Sequence, residues 1–183
     1  MLTEKSHIMD ESAVKRTLIR MAHEIVEKNA SCKTICLIGI QRRGVPLAKR
    51  LADNIRCFSD LTVEVGSLDI TLYRDDLDAF PVDPVVIGTK LDFSIKDKTV
   101  VLVDDVIYTG RTVRAALDAV MKLERPKRIQ LAVLIDRGHR ELPIRGDFVG
   151  KNLPTSRKEV VAVFVPEIDG DMGVAIYDGT DIS

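Results

Sequence analysis

The sequence predicts an α/β fold: a central, mostly parallel sheet flanked by helices, with a hairpin lid over its ligand side. Three observations carry that prediction. Continuous apolar runs at 34–38, 100–103 and 129–135 are short enough for strands and lack alternation, as in strands buried on both faces of a parallel sheet. Stretches with helical apolar spacing separate them. The run at 100–103 ends in paired carboxylates, Asp104 and Asp105, followed by Tyr108-Thr109-Gly110-Arg111-Thr112 at the start of a helical pattern. In open α/β sheets the carboxyl ends of the strands are where ligands bind.

Taken in order, Asp10 is an N-cap for a helix reaching about residue 29, with Val14, Leu18, Met21, Ala22 and Ile25 as its buried stripe. Arg16, Arg20 and His23 share a different, outward face, open to solvent or to an anionic partner. The strand at 34–38 runs into Gly39-Ile40-Gln41-Arg42-Arg43-Gly44. Two glycines bracketing two arginines make a loop that brings backbone N–H groups and charge to an anion. A helix follows, with Pro46 in its first turn and Leu47, Ala48, Leu51 and Ala52 facing inward.

Residues 61–68 read as extended and continue as an arm through 69–76, which carries Arg74. Residues 77–88, with Pro81, Pro84 and several acids, are expected to be a mobile loop, and 85–91 to return as a second arm. Such a hairpin is either a lid that keeps water from a reactive centre or an ordinary surface feature. After the carboxylate-bearing strand comes a helix over 111–123, ended by Pro126. The strand at 129–135 leads into Asp136-Arg137-Gly138-His139-Arg140, again on the ligand side. Segments 148–149, 160–165 and 174–177 read as short strands at the sheet edge or in a small hood.

Composition narrows the function classes. At 183 residues the chain is expected to form one domain, 1–183. A net charge of −1 confines any polyanion surface to a local patch, and the absence of Trp argues against a stacking platform for single strands. Cys32, Cys36 and Cys57 have neither the number nor the spacing for a disulfide framework or a zinc site. No apolar segment has signal-peptide or membrane-span length, so a cytoplasmic protein with no membrane partner is expected.

The chemistry begins at residues 100–112. Unpaired N–H groups at a helix start favour a phosphate, while the two carboxylates suit hydroxyls or a hydrated Mg²⁺. A phosphate site about one sugar away from a pair of acids describes a ribose 5-phosphate. The string VVLVDDVIYTGRT resembles the phosphoribosyl pyrophosphate (PRPP) signature of type I phosphoribosyltransferases, which implies that fold. The strings RMAHEI, SLDITLYRDDL, VVLVDDVIYTGRTVRAALDA and IQLAVLIDRGHRELPIRGDFVGKNLPTS, in that order over nearly the whole chain, resemble one subfamily. It is the bifunctional pyrimidine operon regulator / uracil phosphoribosyltransferase.

That resemblance implies an enzyme converting uracil and PRPP to UMP and pyrophosphate, which also binds pyrimidine-operon leader mRNA in response to UMP or UTP and attenuates transcription. It implies Mg²⁺, held by Asp104 and Asp105 partly through substrate and water, and a homodimer or larger homo-oligomer. Val103, Asp104, Asp105, Tyr108, Thr109, Gly110, Arg111 and Thr112 would hold the ribose phosphate, and Gln41, Arg42, Arg43 and Gly44 the pyrophosphate. Asp104, Asp105 and Arg74 would be catalytic, and Ile135, Arg137 and His139 would form the base site. Arg16, Arg20, His23, Arg140, Arg145 and Lys151 would meet RNA. From 137 to 158 there are six Lys/Arg against two acids, a local basic patch of the kind phosphate contact requires.

In the family's purine-salvage members an acid stands in the place of Tyr108, so a 6-oxopurine fits less well here. Ile19 replaces a hydroxyl residue common in the subfamily, and Gln41 replaces a basic one. Two alternatives stay open: an RNA-binding regulator using the nucleotide site only as a sensor, and a purine-type phosphoribosyltransferase.

Overall fold

The structure, a computed structural model, describes residues 3–70 and 89–178. Its centre is a parallel five-stranded sheet in the order β3-β2-β4-β5-β6, built from β2 (Thr34–Ile40), β3 (Thr62–Leu68), β4 (Thr99–Ile107), β5 (Arg128–Asp136) and β6 (Phe148–Asn152). The apolar runs become the three central strands because both faces of each are covered. On β2, Ile35 and Leu37 face α1 (Glu11–Lys28) and α2 (Gly44–Phe58), while Cys36, Ile38 and Ile40 face the side covered by α3 (Arg111–Leu123).

Helix α1 starts where Asp10 accepts a hydrogen bond from the Ala13 N–H at 2.7 Å, and it buries the five expected residues. At its far end, the Asn29 side chain donates to the Ile25 carbonyl and to Gln130 Oε1 of β5, tying helix to sheet.

A second sheet, antiparallel in the order β1-β8-β7, forms a hood. It consists of β1 (Thr3–Met9), β7 (Glu159–Phe164) and β8 (Gly173–Asp178), with the short α4 (Pro166–Asp169) between the last two. The expected short strands thus divide: 148–149 begins the main sheet's edge strand, and the other two form the hood. β1 was not legible in the sequence. TEKSHIM is mostly polar and exposed, and its strand character comes from pairing with β8. Among the described residues no helix is long and apolar enough to cross a membrane.

Strand β3, read as the start of a lid arm, is an edge strand of the parallel sheet. Near its end, Ser67 forms an antiparallel bridge with Lys90, with both N–H···O bonds at 3.0 Å, so the returning chain meets this edge there. The returning segment is fixed by Glu124, whose carboxylate accepts the Ser94 hydroxyl and the N–H groups of Ile95 and Lys96. Most of the expected hairpin, with Arg74, lies outside the described residues.

What positions the site is a close approach of backbones. β2 feeds α2 toward β3, while the adjacent β4 feeds α3 toward β5. The two loops therefore diverge from neighbouring strands and open a crevice, as at a topological switch point. Gly44 begins α2 directly over β4, and a β-carbon there would run into the Val103 carbonyl oxygen. Gly39 faces the Gly44 carbonyl in the same way. Gly44→Ala should therefore destabilise the chain by at least about 2 kcal/mol, because the obstructing atoms are backbone and cannot rotate aside. Urea denaturation of the variant beside the wild type measures this.

Candidate active site

The crevice holds a cavity of ≈ 400 Å³ lined by Gln41, Arg42, Arg43, Asp69, Ile70, Asp104, Asp105, Val106 and Thr112. Of the site residues expected from sequence, it gathers both carboxylates, three members of the arginine loop and the last threonine of the Tyr108–Thr112 stretch. Two helices begin at its edges. The N-cap residue's own side chain accepts no first-turn N–H in α2, whose N-cap is Arg43, or in α3, whose N-cap is Gly110; at α3 the Thr109 hydroxyl takes the Arg111 N–H at 3.3 Å. Gly110 adopts φ 94°, a conformation glycine takes at no steric cost, and so turns the chain from β4 into α3. The remaining first-turn N–H groups and the helix dipoles favour anions at both ends. The Gln41–Arg42 peptide is cis.

Between those ends stand the two acids. Asp104 is buried, with Oδ1 accepting the Asp105 N–H at 2.9 Å, and Asp105 Oδ1 accepts the Val106 N–H at 2.9 Å. Burial, reinforced by the Asp105 charge, holds the Asp104 carboxyl well above the usual carboxylate range. Among the described residues no three His, Cys, Asp or Glu side chains form a metal cage. A pair of carboxylates in a polar crevice instead fits a cation such as Mg²⁺ that takes most of its oxygens from substrate and water.

Several expected contacts are corrected. The Val103 side chain is buried in the core, so only its backbone reaches this region, as the floor under Gly44. Ile135 is fully buried in the core beneath the sheet and cannot offer its side chain to a base. The Arg137 guanidinium is engaged by Thr155 Oγ1 at 3.1 Å, the Ser156 carbonyl at 3.1 Å and the Glu159 carbonyl, and lies 4.2 Å from the Tyr108 ring centre. It forms a wall and leaves little of itself to bind with. His139, at φ 61°, bonds the Thr155 carbonyl through Nε2 and meets Tyr108 edge-on at 5.8 Å. A second cavity of ≈ 290 Å³, at the end of β5, is lined by Asp136, Arg137, Gly138, His139, Asn152, Pro154 and Thr155.

Beside Tyr108, the Thr109 carbonyl accepts the N–H groups of Glu141 and Leu142, and Arg111 pairs with Glu141.

The basic side chains expected on one surface also separate. Arg16, Arg145 and Lys151 are exposed. Arg20 packs α1 onto β6, bonding Glu24 and the carbonyls of Val149 and Gly150, and His23 stacks on Phe58 at 3.8 Å. Arg140 is the clear departure. Its guanidinium is taken up by Asp136 and by the carbonyls of Tyr108 and Ile144, both at 2.8 Å, so it braces the loop and is not a free surface charge.

Sequence reasoning missed Asp69 and Ile70 as cavity residues, although Asp69 follows an apolar-containing strand just as Asp104 does.

Known proteins agree with this geometry. A family model, the phosphoribosyl transferase domain, matches residues 5–168. The chain is 57% identical over 177 residues to the bifunctional protein PyrR of Clostridioides difficile, covering 97% of this chain and 100% of that one. It is 62% identical over 177 residues to the protein of the same name from Acetivibrio thermocellus, covering 97% and 96%. The chain belongs to the PyrR family. Its fold is shared with a hypoxanthine-guanine phosphoribosyltransferase of Bacillus anthracis (TM-score 0.72, 18% identity, 97% of this chain and 99% of that one) and with a hypoxanthine phosphoribosyltransferase of Trypanosoma cruzi (TM-score 0.74, 16% identity, 94% and 95%). The fold is therefore that of the type I phosphoribosyltransferases, and the carboxylate pair and the arginine loop fall in the crevice between β2 and β4.

Burying Asp104 has a measurable cost in this PyrR-family chain. A carboxyl whose pKa rises on folding does no harm at acid pH, where it is protonated in both states, and costs stability as pH climbs through the raised value. Asp104→Asn keeps the shape and the Asp105 N–H acceptor but removes the charge. Its melting temperature should exceed the wild type's at pH 7, and calorimetry should show the gap shrinking as pH falls from the raised value and closed below about 4.

Proposed function

We propose that the chain is a uracil phosphoribosyltransferase, forming UMP and pyrophosphate from uracil and PRPP, and that it also binds pyrimidine-operon leader mRNA in response to uridine nucleotides and attenuates transcription. One observation carries the enzymatic reading. A single crevice joins two helix starts, two arginines and two carboxylates, in the order needed by a sugar with a phosphate at one end and a pyrophosphate at the other. The relatives at 57–62% identity, named as bifunctional, support its pairing with a second role.

In this reading the start of α3, from Thr109 to Thr112, holds the 5-phosphate, and Asp104 and Asp105 hold the ribose hydroxyls. Arg42, Arg43 and the start of α2 hold the pyrophosphate. A ring nitrogen of the base displaces pyrophosphate at C1 through a cation-like transition state, so the protein needs no covalent nucleophile. Its work is to keep three groups in register and to stabilise departing charge. When bound, Mg²⁺ supplies charge neutralisation on the leaving pyrophosphate, with Asp104 and Asp105 as its protein ligands. Arg74 completes the clamp on the leaving group. The base sits beside Tyr108 and His139, its pocket shaped by the Arg137 wall and the backbone of 136–139. In the cell the protein is cytoplasmic and assembles as a homodimer or larger homo-oligomer.

Pyrophosphate release, assayed with uracil, hypoxanthine, guanine and orotate in turn, should be fast with uracil alone. Absence of turnover with uracil would leave a nucleotide-gated RNA binder, and turnover with hypoxanthine a purine enzyme. The RNA role rests on Arg16 and Lys151, exposed on adjacent elements, with Arg145 nearby in sequence. Leader RNA should bind more tightly with UMP present, log affinity should fall linearly with log salt, and Arg16→Ala or Lys151→Ala should each make that slope shallower by about one unit. Filter binding at several salt concentrations tests this, and an unchanged slope in both variants would falsify the assigned surface.

A further inference from the structure

The arginine loop does not stand alone. The Arg43 guanidinium grips a hood residue, with Nε donating to Asp169 Oδ2 at 3.2 Å and Nη2 to Asp169 Oδ1 at 2.7 Å. This is the bidentate fork in which both position and orientation of a guanidinium are fixed. The carboxylate is itself immobilised. Oδ2 also accepts the Val165 N–H at 2.9 Å, the Asp169 N–H donates to the Val165 carbonyl at 2.8 Å, and the side chain is only 15% exposed. A second pair, Arg50 with Glu167 at 2.6 Å, fastens α2 to α4 alongside. With its carboxylate shielded and its geometry bidentate, the pair is unlike surface pairs solvated on both sides, which contribute little.

We propose that Asp169 is a positioning residue for the pyrophosphate end of the site, ordering Arg43 at the cavity rim before substrate arrives. The inference rests on the reading that Arg43 meets the pyrophosphate. Arg43 lines the cavity, and among the described residues its Nη1 donates to no protein acceptor. One edge of the fork is thus held by the hood and the other is left for an anion. An arginine ordered in advance loses less side-chain freedom on binding. Two effects oppose each other here, since the Asp169 charge also offsets part of the attraction between Arg43 and an anion. That charge sits on the far edge of the guanidinium, so preorganisation wins.

The test uses the full-length chain and three variants: Asp169→Asn, Arg43→Lys and the double substitution. Asp169→Asn keeps an acceptor for the Val165 N–H, and a melting curve confirms that it is folded. Its KM for PRPP should rise about tenfold with kcat within about twofold, and calorimetric binding of PRPP without base should weaken by the same factor. The double variant should be no weaker than Arg43→Lys alone, because Asp169 acts only through Arg43. Unchanged or tighter PRPP binding in folded Asp169→Asn overturns the proposal, as does full additivity with Arg43→Lys. If the wild type binds PRPP but does not turn over uracil, while Asp169→Asn loses PRPP affinity, the positioning role stands and the proposed reaction falls. If the wild type binds no PRPP, both fall.

Discussion

The contact on which the site depends is that between Gly44 and the Val103 carbonyl. It brings the first turn of α2 onto the end of β4 with no side chain between them. That close approach sets Arg42 and Arg43 beside Asp104 and Asp105, so that groups from two divergent loops share one cavity. Strand order supplies the crevice, and the missing β-carbons supply its narrowness. A fold with the same strand order but a side chain at 44 would hold the arginines and the carboxylates apart.

Around that contact, the molecule spends stability at some points and recovers it at others. Asp104 is buried beside a second carboxylate, an arrangement a purely structural strand end would avoid. Fastenings elsewhere offset it: the Asp10 cap on α1, the Glu124 clamp on the returning segment, and the double tie of α2 to the hood through Arg43–Asp169 and Arg50–Glu167. None of these touches the carboxylates. They fasten the frame around two helix starts and two like charges at the crevice. Positioning chemistry of the proposed kind asks for such a frame, because its rate depends on groups being in place before the substrate is.

Much of this was legible in the sequence, for identifiable reasons. Strands buried on both faces must be apolar throughout, so β2, β4 and β5 announced themselves; a helix with one buried stripe must show its period, so α1 and α3 did too. The carboxylate pair and the arginine loop were readable because acids and glycines at strand ends break those patterns. What could not be read was partnership across the chain. TEKSHIM carries no strand signal and becomes β1 only because β8 lies alongside. Arg137 and Arg140 read as cations available for binding, yet the fold surrounds them with carbonyl oxygens separated from them by as many as 22 and 32 residues, respectively. A sequence displays charge but not whether that charge is already spoken for.

The Arg137 side chain gives this last point a mechanical meaning. One guanidinium lies against the Tyr108 ring at the end of β4 and bonds the backbone of 156 and 159, the stretch that enters β7. Withdrawing it would leave two carbonyls and an aromatic face without their shared partner, so the strap of 155–159 cannot drift from Tyr108 without breaking several bonds together. The strap also carries Arg157 and Lys158, both exposed. Arg137 therefore ties the pocket wall to the basic strap. Tyr108 and the neighbouring basic surface thus share one guanidinium, and parting them costs those contacts together.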